Sequence, residues 1–296
     1  MNWIKPVLIV FFILTATLFT GCIEEDILDE NTLYVDSKGT TDYTSIQEAI
    51  NNAMENQTIF VYEGIYNEHI LINKSINLKG QNKEKTIIDG NYSGNIILIE
   101  KDCTVNITGF TLQRSGTGTS DAGIQIKSDY NTIKDNIFYL NANGIYTSYS
   151  EYNRFEDNIF DSNTKYGMYL YTSSNFAETI ENIFIDNYCG LRIKGSSHNN
   201  VTQNIFQEND QGVYFCCGAR TNTVYHNTFL NNSIWNADDQ VSGNNWDKGP
   251  TVGGNYWSDY IGVDADGDGF GDTPYNITKS GDKRDNYPLI EPIVAL

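Results

Sequence analysis

The sequence predicts an all-β chain folded as a right-handed parallel β-helix, a solenoid of ~22-residue coils with three short strands each. Three observations predict it. Phe138, Phe160, Phe184, Phe206 and Phe229 follow one another at steps of 22, 24, 22 and 23 residues. Each has an asparagine two residues before it (Asn136, Asn158, Asn182, Asn204, Asn227) and another three after it (Asn141, Asn163, Asn187, Asn209, Asn232). A glycine opens each unit (Gly123, Gly144, Gly167, Gly190, Gly212), with apolar residues one and three positions later in most units. Spacing of two puts residues on one face of a strand, so these apolar pairs point inward.

One such unit cannot bury its apolar face alone. Stacking the units does so, with equivalent residues about 4.8 Å apart. The asparagines then form ladders at the corners, each side-chain amide bonding along the stack. A third, partial ladder is Asn131, Asn153, Asn199 and Asn222, broken at Ala177. Second strands centre on Ile133, Phe155, Val201 and Val224. A β-propeller is excluded, because its repeats run to roughly 40 residues or more.

In chain order, the first 22 residues read as a targeting segment. Lys5 precedes an apolar run, Val7–Phe19, too short to span a membrane comfortably, and Thr20, Gly21 and Cys22 follow. Small residues before a cysteine resemble a lipobox, which implies cleavage and lipidation at Cys22, with the rest exported and anchored to the membrane outside the cytoplasm. Residues 23–32 are an acidic tether. Within 33–56, Leu33-Tyr34-Val35 reads as a strand, and Thr44 with Gln47 as a capping box opening an amphipathic helix of about three turns. That helix suits the first coil, whose open edge needs a cover. The β-helix spans 57–246, starting with short runs at Thr58–Tyr62, His69–Ile72, Ile76–Leu78, Thr86–Ile88 and Asn95–Ile99. Residues 247–296 leave the repeat and form a C-terminal cap, for which Trp246, Tyr256, Trp257 and Tyr260 supply aromatic cover.

Composition narrows the partners. The net charge is -19, with 36 asparagines supplying much of the polarity. Nucleic acid needs basic patches, so that class is excluded, whereas cations and neutral polymers fit. Export permits disulfides among Cys103, Cys189, Cys216 and Cys217, with three pairings possible. Cys216 and Cys217 are adjacent, so their side chains leave a strand on opposite faces and at least one thiol is expected to stay free.

The chain resembles the NosD-like β-helix proteins of the pectin-lyase-like superfamily. The matching phrases are Ile46-Gln47-Glu48-Ala49-Ile50, Gly64-Ile65-Tyr66-Asn67-Glu68 and Leu78-Lys79-Gly80, then the recurring Asn-Ile-Phe. The ending, Gly254 to Tyr260, Asp264 to Asp272, Thr273-Pro274-Tyr275 and Tyr287-Pro288-Leu289, resembles cell-surface β-helix proteins of methane-producing archaea. The resemblance implies the fold; the family name also implies copper delivery. Copper sites need clustered His, Cys or Met. The histidines are His69, His198 and His226, the methionines Met1, Met54 and Met168, and the sequence shows no cluster.

Function is left to positions the core does not use. Two residues after each glycine come Gln125, Tyr146, Tyr169, Arg192 and Tyr214, outward and beside Lys127, Tyr171 and Lys194. Tyr146, Tyr169, Tyr171, Arg192 and Tyr214 make a platform on which a polysaccharide or cell-envelope glycan can stack; the same column also suits simple cross-strand packing. A second candidate is the loop Asp264, Asp266, Asp268, Phe270 and Asp272. Carboxylates at loop positions 1, 3 and 5, glycine at 6 (Gly269) and a carbonyl at 7 match the start of an EF-hand, so it is a candidate structural Ca²⁺ site. Position 12 is Tyr275 rather than glutamate, leaving Asp259, Asp282 or Asp285 to complete the shell. A third column is Asp135, Asp157, Glu181, Gln203 and His226, acids that a cation would bridge. The expected function is a non-catalytic cell-surface module; the alternatives are a polysaccharide lyase or hydrolase, and then copper handling. No catalytic residue is assigned, because the catalytic phrases of polygalacturonases and pectinesterases are absent.

Overall fold

A computed structural model describes residues 31–277 and 282–293. The expected leader with Cys22, and nearly all of the tether, lie outside the described residues. The remainder is a parallel β-helix. Sheets A and B have nine strands and sheet C has eight, and neighbours within each sheet come from successive coils. One coil shows the plan: Arg154–Glu156 belongs to sheet A, Ile159–Asp161 to sheet B and Tyr166–Tyr171 to sheet C.

The five phenylalanines lie in register in sheet B, fully buried. Their rings are parallel within 11° and 4.7–5.0 Å apart. The opening glycines now have a physical reason. A Cβ on Gly167 would stand 2.7 Å from the Gly190 carbonyl oxygen and 2.8 Å from Cδ1 of Phe184. The backbone must pass this close for each ring to stack on the next.

In the early coils the positions in register with the phenylalanine column hold Leu112, Ile88 and Tyr66. The strands of these coils match the expected runs within a residue or two: Gln57–Val61, Ile70–Ile72, Ile76–Gly80, Thr86–Asp89 and Ile97–Ile99. Gly64–Tyr66, Val105–Thr108 and Thr111–Gln113 complete these coils. They carry neither the Phe nor the Asn of the later repeat, so periodicity alone does not find them.

The asparagine ladders have a direction. Asn158 donates its backbone N–H and its Nδ2 to Oδ1 of Asn182, both at 3.0 Å, and Nδ2 also reaches the Ile133 carbonyl. Asn182 repeats this toward Asn204, and Asn204 toward Asn227. Buried polar groups must be paired, and every rung is closed by the next coil. In the third ladder Ala177 supplies no acceptor, and Asn153 turns its Nδ2 to Ser150 Oγ at 3.0 Å instead.

The last rungs need acceptors from outside the repeat. Asn255 gives its N–H to Oδ2 of Asp285 at 2.6 Å, Asn244 donates to Asp239, and Asn232 donates to Asn236, which donates to Asp259. Asp285 and Asp239 are buried and also accept the indole N–H of Trp257 and Trp246, respectively. Trp257 continues the aromatic column on Phe229 at 4.3 Å, and Tyr275 stacks on Trp257 at 4.2 Å. Trp246 and Trp257 are the buried members of the expected cover, while Tyr256 and Tyr260 are only partly buried.

Each coil turns its corners on residues in the left-handed region just before the ladder asparagines. One corner carries Tyr130, Tyr152, Phe176 and His198, a second Asp135, Asp157, Glu181, Gln203 and His226, a third Leu140, Ser162, Asp186 and Glu208. This backbone costs a non-glycine residue roughly 1–2 kcal/mol. The ladder bonds over-determine the turns and hold them there.

The helix covers the first coil as expected, burying Ile46, Ala49 and Ile50. It is shorter than expected, Ile46–Asn52, and its N-cap is Ser45, which accepts from the Glu48 N–H, not Thr44 paired with Gln47. The reason is tertiary. The carboxylate of Glu68 accepts from the N–H of Ile46 and of Gln47 at 2.9 Å and from Ser45 Oγ at 2.8 Å, fixing the start of the helix one residue later. Glu68→Ala is expected to cost about 1–2 kcal/mol through these lost cap bonds. Hydrogen exchange should show the loss first in the helix amides.

Candidate functional site

The outer face of sheet C brings the predicted residues together. Tyr146, Tyr169, Arg192 and Tyr214 lie in one cross-strand row, with Tyr171 and Lys194 in the next. The bend at each glycine adds Tyr166, whose ring centroid is 4.7 Å from that of Tyr169. Spacing from the glycine puts Tyr166 one residue before it, so the sequence reading missed it. The cysteines are all unpaired among the described residues; Cys189 and Cys216 are buried against this face and Cys217 is exposed.

The tyrosines do not form a flat platform. Tyr146 and Tyr169 meet edge to face, at 5.4 Å and 89°, and are 8% and 5% exposed. Burial pushes the Tyr146 hydroxyl up to about 12 and drives Tyr169 higher still. These two rings form a base. Tyr166, Tyr171, Arg192 and Tyr214 stand partly exposed above it.

Arg192 is the centre of the cluster. Its guanidinium carbon lies 5.1–5.2 Å from the ring centroids of Tyr166, Tyr169 and Tyr214. It donates to the Tyr166 hydroxyl and to the Cys216 sulfur, the latter at 3.6 Å, while its Nε is buried with no hydrogen-bond partner. Burial opposes the charge, but the Cys216 sulfur and the surrounding tyrosines hold the group protonated. Lys194 sits over the Tyr171 ring at 5.4 Å. Cation–π contact with three rings fixes Arg192 in place.

The acidic column runs along a corner, where Asp135, Asp157 and Glu181 line an open cavity of about 470 Å³ together with Lys83 and Lys134. Asp135 pairs with Lys83 at 2.6 Å and Asp157 with Lys134 at 3.2 Å. Oxygens of Glu156, Asp157 and Glu181 come within 4.8 Å of one another. Lys134 and Arg154 pull the Glu156 carboxyl below its usual range, Arg154 most strongly.

In the aspartate loop, oxygens of Asp264, Asp266 and Asp268 also lie within 4.8 Å of one another. Asp264 accepts from the N–H of Gly267, Asp268 and Gly269, the last at 2.9 Å, and these bonds hold its carboxyl below the usual range, Gly269 most strongly. Asp272 turns away to accept from the Ala265 N–H. The residues expected to complete the shell are committed elsewhere: Asp259 to Asn236 and Tyr275, Asp282 to Lys283, and Asp285 to the cap.

Comparison with known proteins fits this architecture. A family model described as periplasmic copper-binding protein (NosD) matches residues 50–262. The chain belongs to the NosD family. It is similar to the probable ABC transporter binding protein NosD of Pseudomonas aeruginosa, at 31% identity over 104 residues, covering 31% of this chain and 21% of that one. The protein of the same name from Stutzerimonas stutzeri is 30% identical over 93 residues, with the same coverage. The NosD-family chain thus aligns with about a fifth of the length of these relatives. Among solved structures it is similar to ORF18 of Geobacillus virus E2 (18% identity, 67% of this chain and 51% of that one, TM-score 0.48). An alginate lyase from Paenibacillus is similar at 14% identity, over 72% and 82% of the two chains, with a TM-score of 0.45.

The family description implies a copper site. Cu binds through imidazole, thiolate or thioether. His69 and His226 each hydrogen-bond a backbone carbonyl, His198 stacks on Phe176, and Met168 is buried in the core. Among the described residues, the clusters of three or more ligating side chains contain carboxylates only. The described residues do not fit copper.

Proposed function

We propose that this NosD-family protein is a non-catalytic, exported module, anchored at the cell surface through lipid on Cys22, that binds a cell-envelope glycan on the outer face of sheet C. The observation carrying this reading is the Arg192 cluster: a partly exposed guanidinium held in place by tyrosines, of which Tyr166 and Tyr214 are themselves partly exposed. Sugar rings present C–H faces to aromatic rings and hydroxyls to polar groups, and this face offers both. The second component is Ca²⁺ held by Asp264, Asp266 and Asp268 with the Phe270 carbonyl, stiffening the C-terminal cap, while Asp272 braces the loop through the Ala265 N–H.

Two measurements test these parts. Wild-type protein is expected to bind one or more polysaccharides on a glycan array, and Tyr171→Ala with Tyr214→Ala to weaken that binding about tenfold. These partly exposed rings are the right targets, since Tyr146 and Tyr169 also support the sheet. Unchanged binding in the double variant rejects the site, and release of reducing sugar by the wild type replaces binding with cleavage. Calorimetry is expected to show Ca²⁺ binding in the ~0.1–1 mM range of extracellular modules. Asp266→Ala should abolish it; no heat in the wild type rejects the clamp.

A further inference from the structure

An aromatic corner column ends beside this face. Tyr130, Tyr152, Phe176 and His198 stack along the rod, with centroids 5.1, 4.8 and 4.9 Å apart and planes within 16°. They are solvent-facing: Tyr130 is 60%, Tyr152 45% and Phe176 39% exposed. The other two corners carry mostly polar side chains in the same backbone geometry, so the turn itself does not call for a ring. Each ring in the column covers a face of the next. Tyr130 is first, and in the preceding coil the position in register with it is Thr104, not an aromatic. One face of Tyr130 is therefore left without a stacking partner.

That residue lines a cavity of about 350 Å³. Tyr149, 66% exposed, is a second aromatic wall, and Lys101, Asp102, Lys127 and Asp129 are among the rim residues. The rim carries two charges of each sign. Lys127 is already paired with Glu100 at 3.2 Å, and Asp129 accepts from the Glu151 N–H at 2.7 Å. With Glu100 counted beside its partner Lys127, the rim sets Lys101 and Lys127 against Asp102, Asp129 and Glu100, a slight negative balance that disfavours an anionic ligand. The rim does offer donors and acceptors around an aromatic wall, the combination that suits a neutral polyhydroxylated ring. The cavity sits at the small end of ligand-pocket volumes, room for one ring and its waters.

We infer that this pocket binds one neutral pyranose ring, stacked on the free face of Tyr130 as the next rung of the aromatic column. Lys127 belongs to the outer row of sheet C that also carries Tyr171 and Lys194, so a glycan on that face can place an end residue here. The inference takes its ligand class from the proposed function but is tested apart from it.

The experiment uses the described chain and an array of neutral oligosaccharides (β-1,4-glucan, xylan and chitin fragments), with the tightest binder then followed by proton NMR. Upfield ring-current shifts of sugar C–H protons are expected. Tyr130→Ala should abolish those shifts and weaken binding about tenfold, while Tyr130→Phe stays within about twofold, because the face and not the hydroxyl is used. Phe176→Ala, which leaves the Tyr130–Tyr152 pair intact, should also bind like the wild type. If Tyr130→Ala binds like the wild type while Tyr171→Ala with Tyr214→Ala does not, the pocket is rejected and the sheet C site stands. The converse keeps the pocket and rejects the sheet C site. A wild type that binds no neutral sugar overturns the pocket outright.

Discussion

Phe184→Ala is expected to destabilise the solenoid by about 3–5 kcal/mol, at the upper end for a large-to-small core change. The ring is fully buried and stacked on both faces, 4.7 Å from Phe160 and 4.7 Å from Phe206. The cost of such a cavity depends on how far its surroundings collapse. Here they are held apart, because the asparagine ladders on either side of the strand fix the coil spacing through Asn182 and Asn187. Urea denaturation of wild type and variant measures the difference. A loss below about 1 kcal/mol would mean that the column adjusts freely and the ladders do not hold it. Gly167→Ala tests the same packing from the other side, since its Cβ would meet Cδ1 of Phe184. Combined with Phe184→Ala it should cost less than the sum of the two, by more than about 0.5 kcal/mol.

Asp285→Asn is expected to remove a large part of the pH dependence of cap stability. Burial is the main cause pushing the Asp285 carboxyl up, to about 7, against the hydrogen bonds from Asn255, Trp257 and Tyr287 that favour its charged form. A carboxyl whose pKa is raised on folding stabilises fully below its unfolded value near 4, and that contribution fades as pH rises through 7. The shift corresponds to about 4 kcal/mol between those limits. The wild type should therefore lose cap stability from pH 4 to 7, and Asp285→Asn should not. The amide costs something at every pH, because its Nδ2 would face the Trp257 or Tyr287 donors. The diagnostic is the slope. Carboxyls held low, such as Glu156 and Asp89, give the opposite slope, stability lost as pH falls. The wild-type-minus-variant difference cancels them. Parallel pH curves for the two proteins would sink the assignment.

The repeat was legible in the sequence because the core asks the same of every coil. A ring stacked on a ring and an amide closed by the next amide require the same residue at each turn, so Phe184 and Asn182 announce themselves by spacing. Four features did not, each for a physical reason. Asp239 and Asp285 occur once, at the end of a pattern, where periodicity carries no information. The helix cap moved from Thr44 to Ser45 because Glu68, 23 residues away from Ser45, reaches it. On sheet C, alternation gave the right face but not the packing. Tyr166 lies before the glycine bend, and its arrival turned an expected flat surface into a cluster in which Tyr146 and Tyr169 are the base. Tyr130 was invisible as a site because its column differs from the polar corners only in three dimensions.

The direction of the ladders has a further consequence. Apart from the break at Ala177, each rung passes its backbone N–H and one Nδ2 hydrogen toward the C-terminus, so each column is a row of aligned amide dipoles with the positive pole at that end. Carboxylates of Asp285 and Asp239 terminate two of the rows, and Asp259 terminates the third through Asn236. A rod of this kind is free in length but not in its ends. Whole coils can be gained or lost between Asn131 and Asn255 without changing what any rung requires, while the acids act as a stop. At that end the last ladder donors are already taken by these acids.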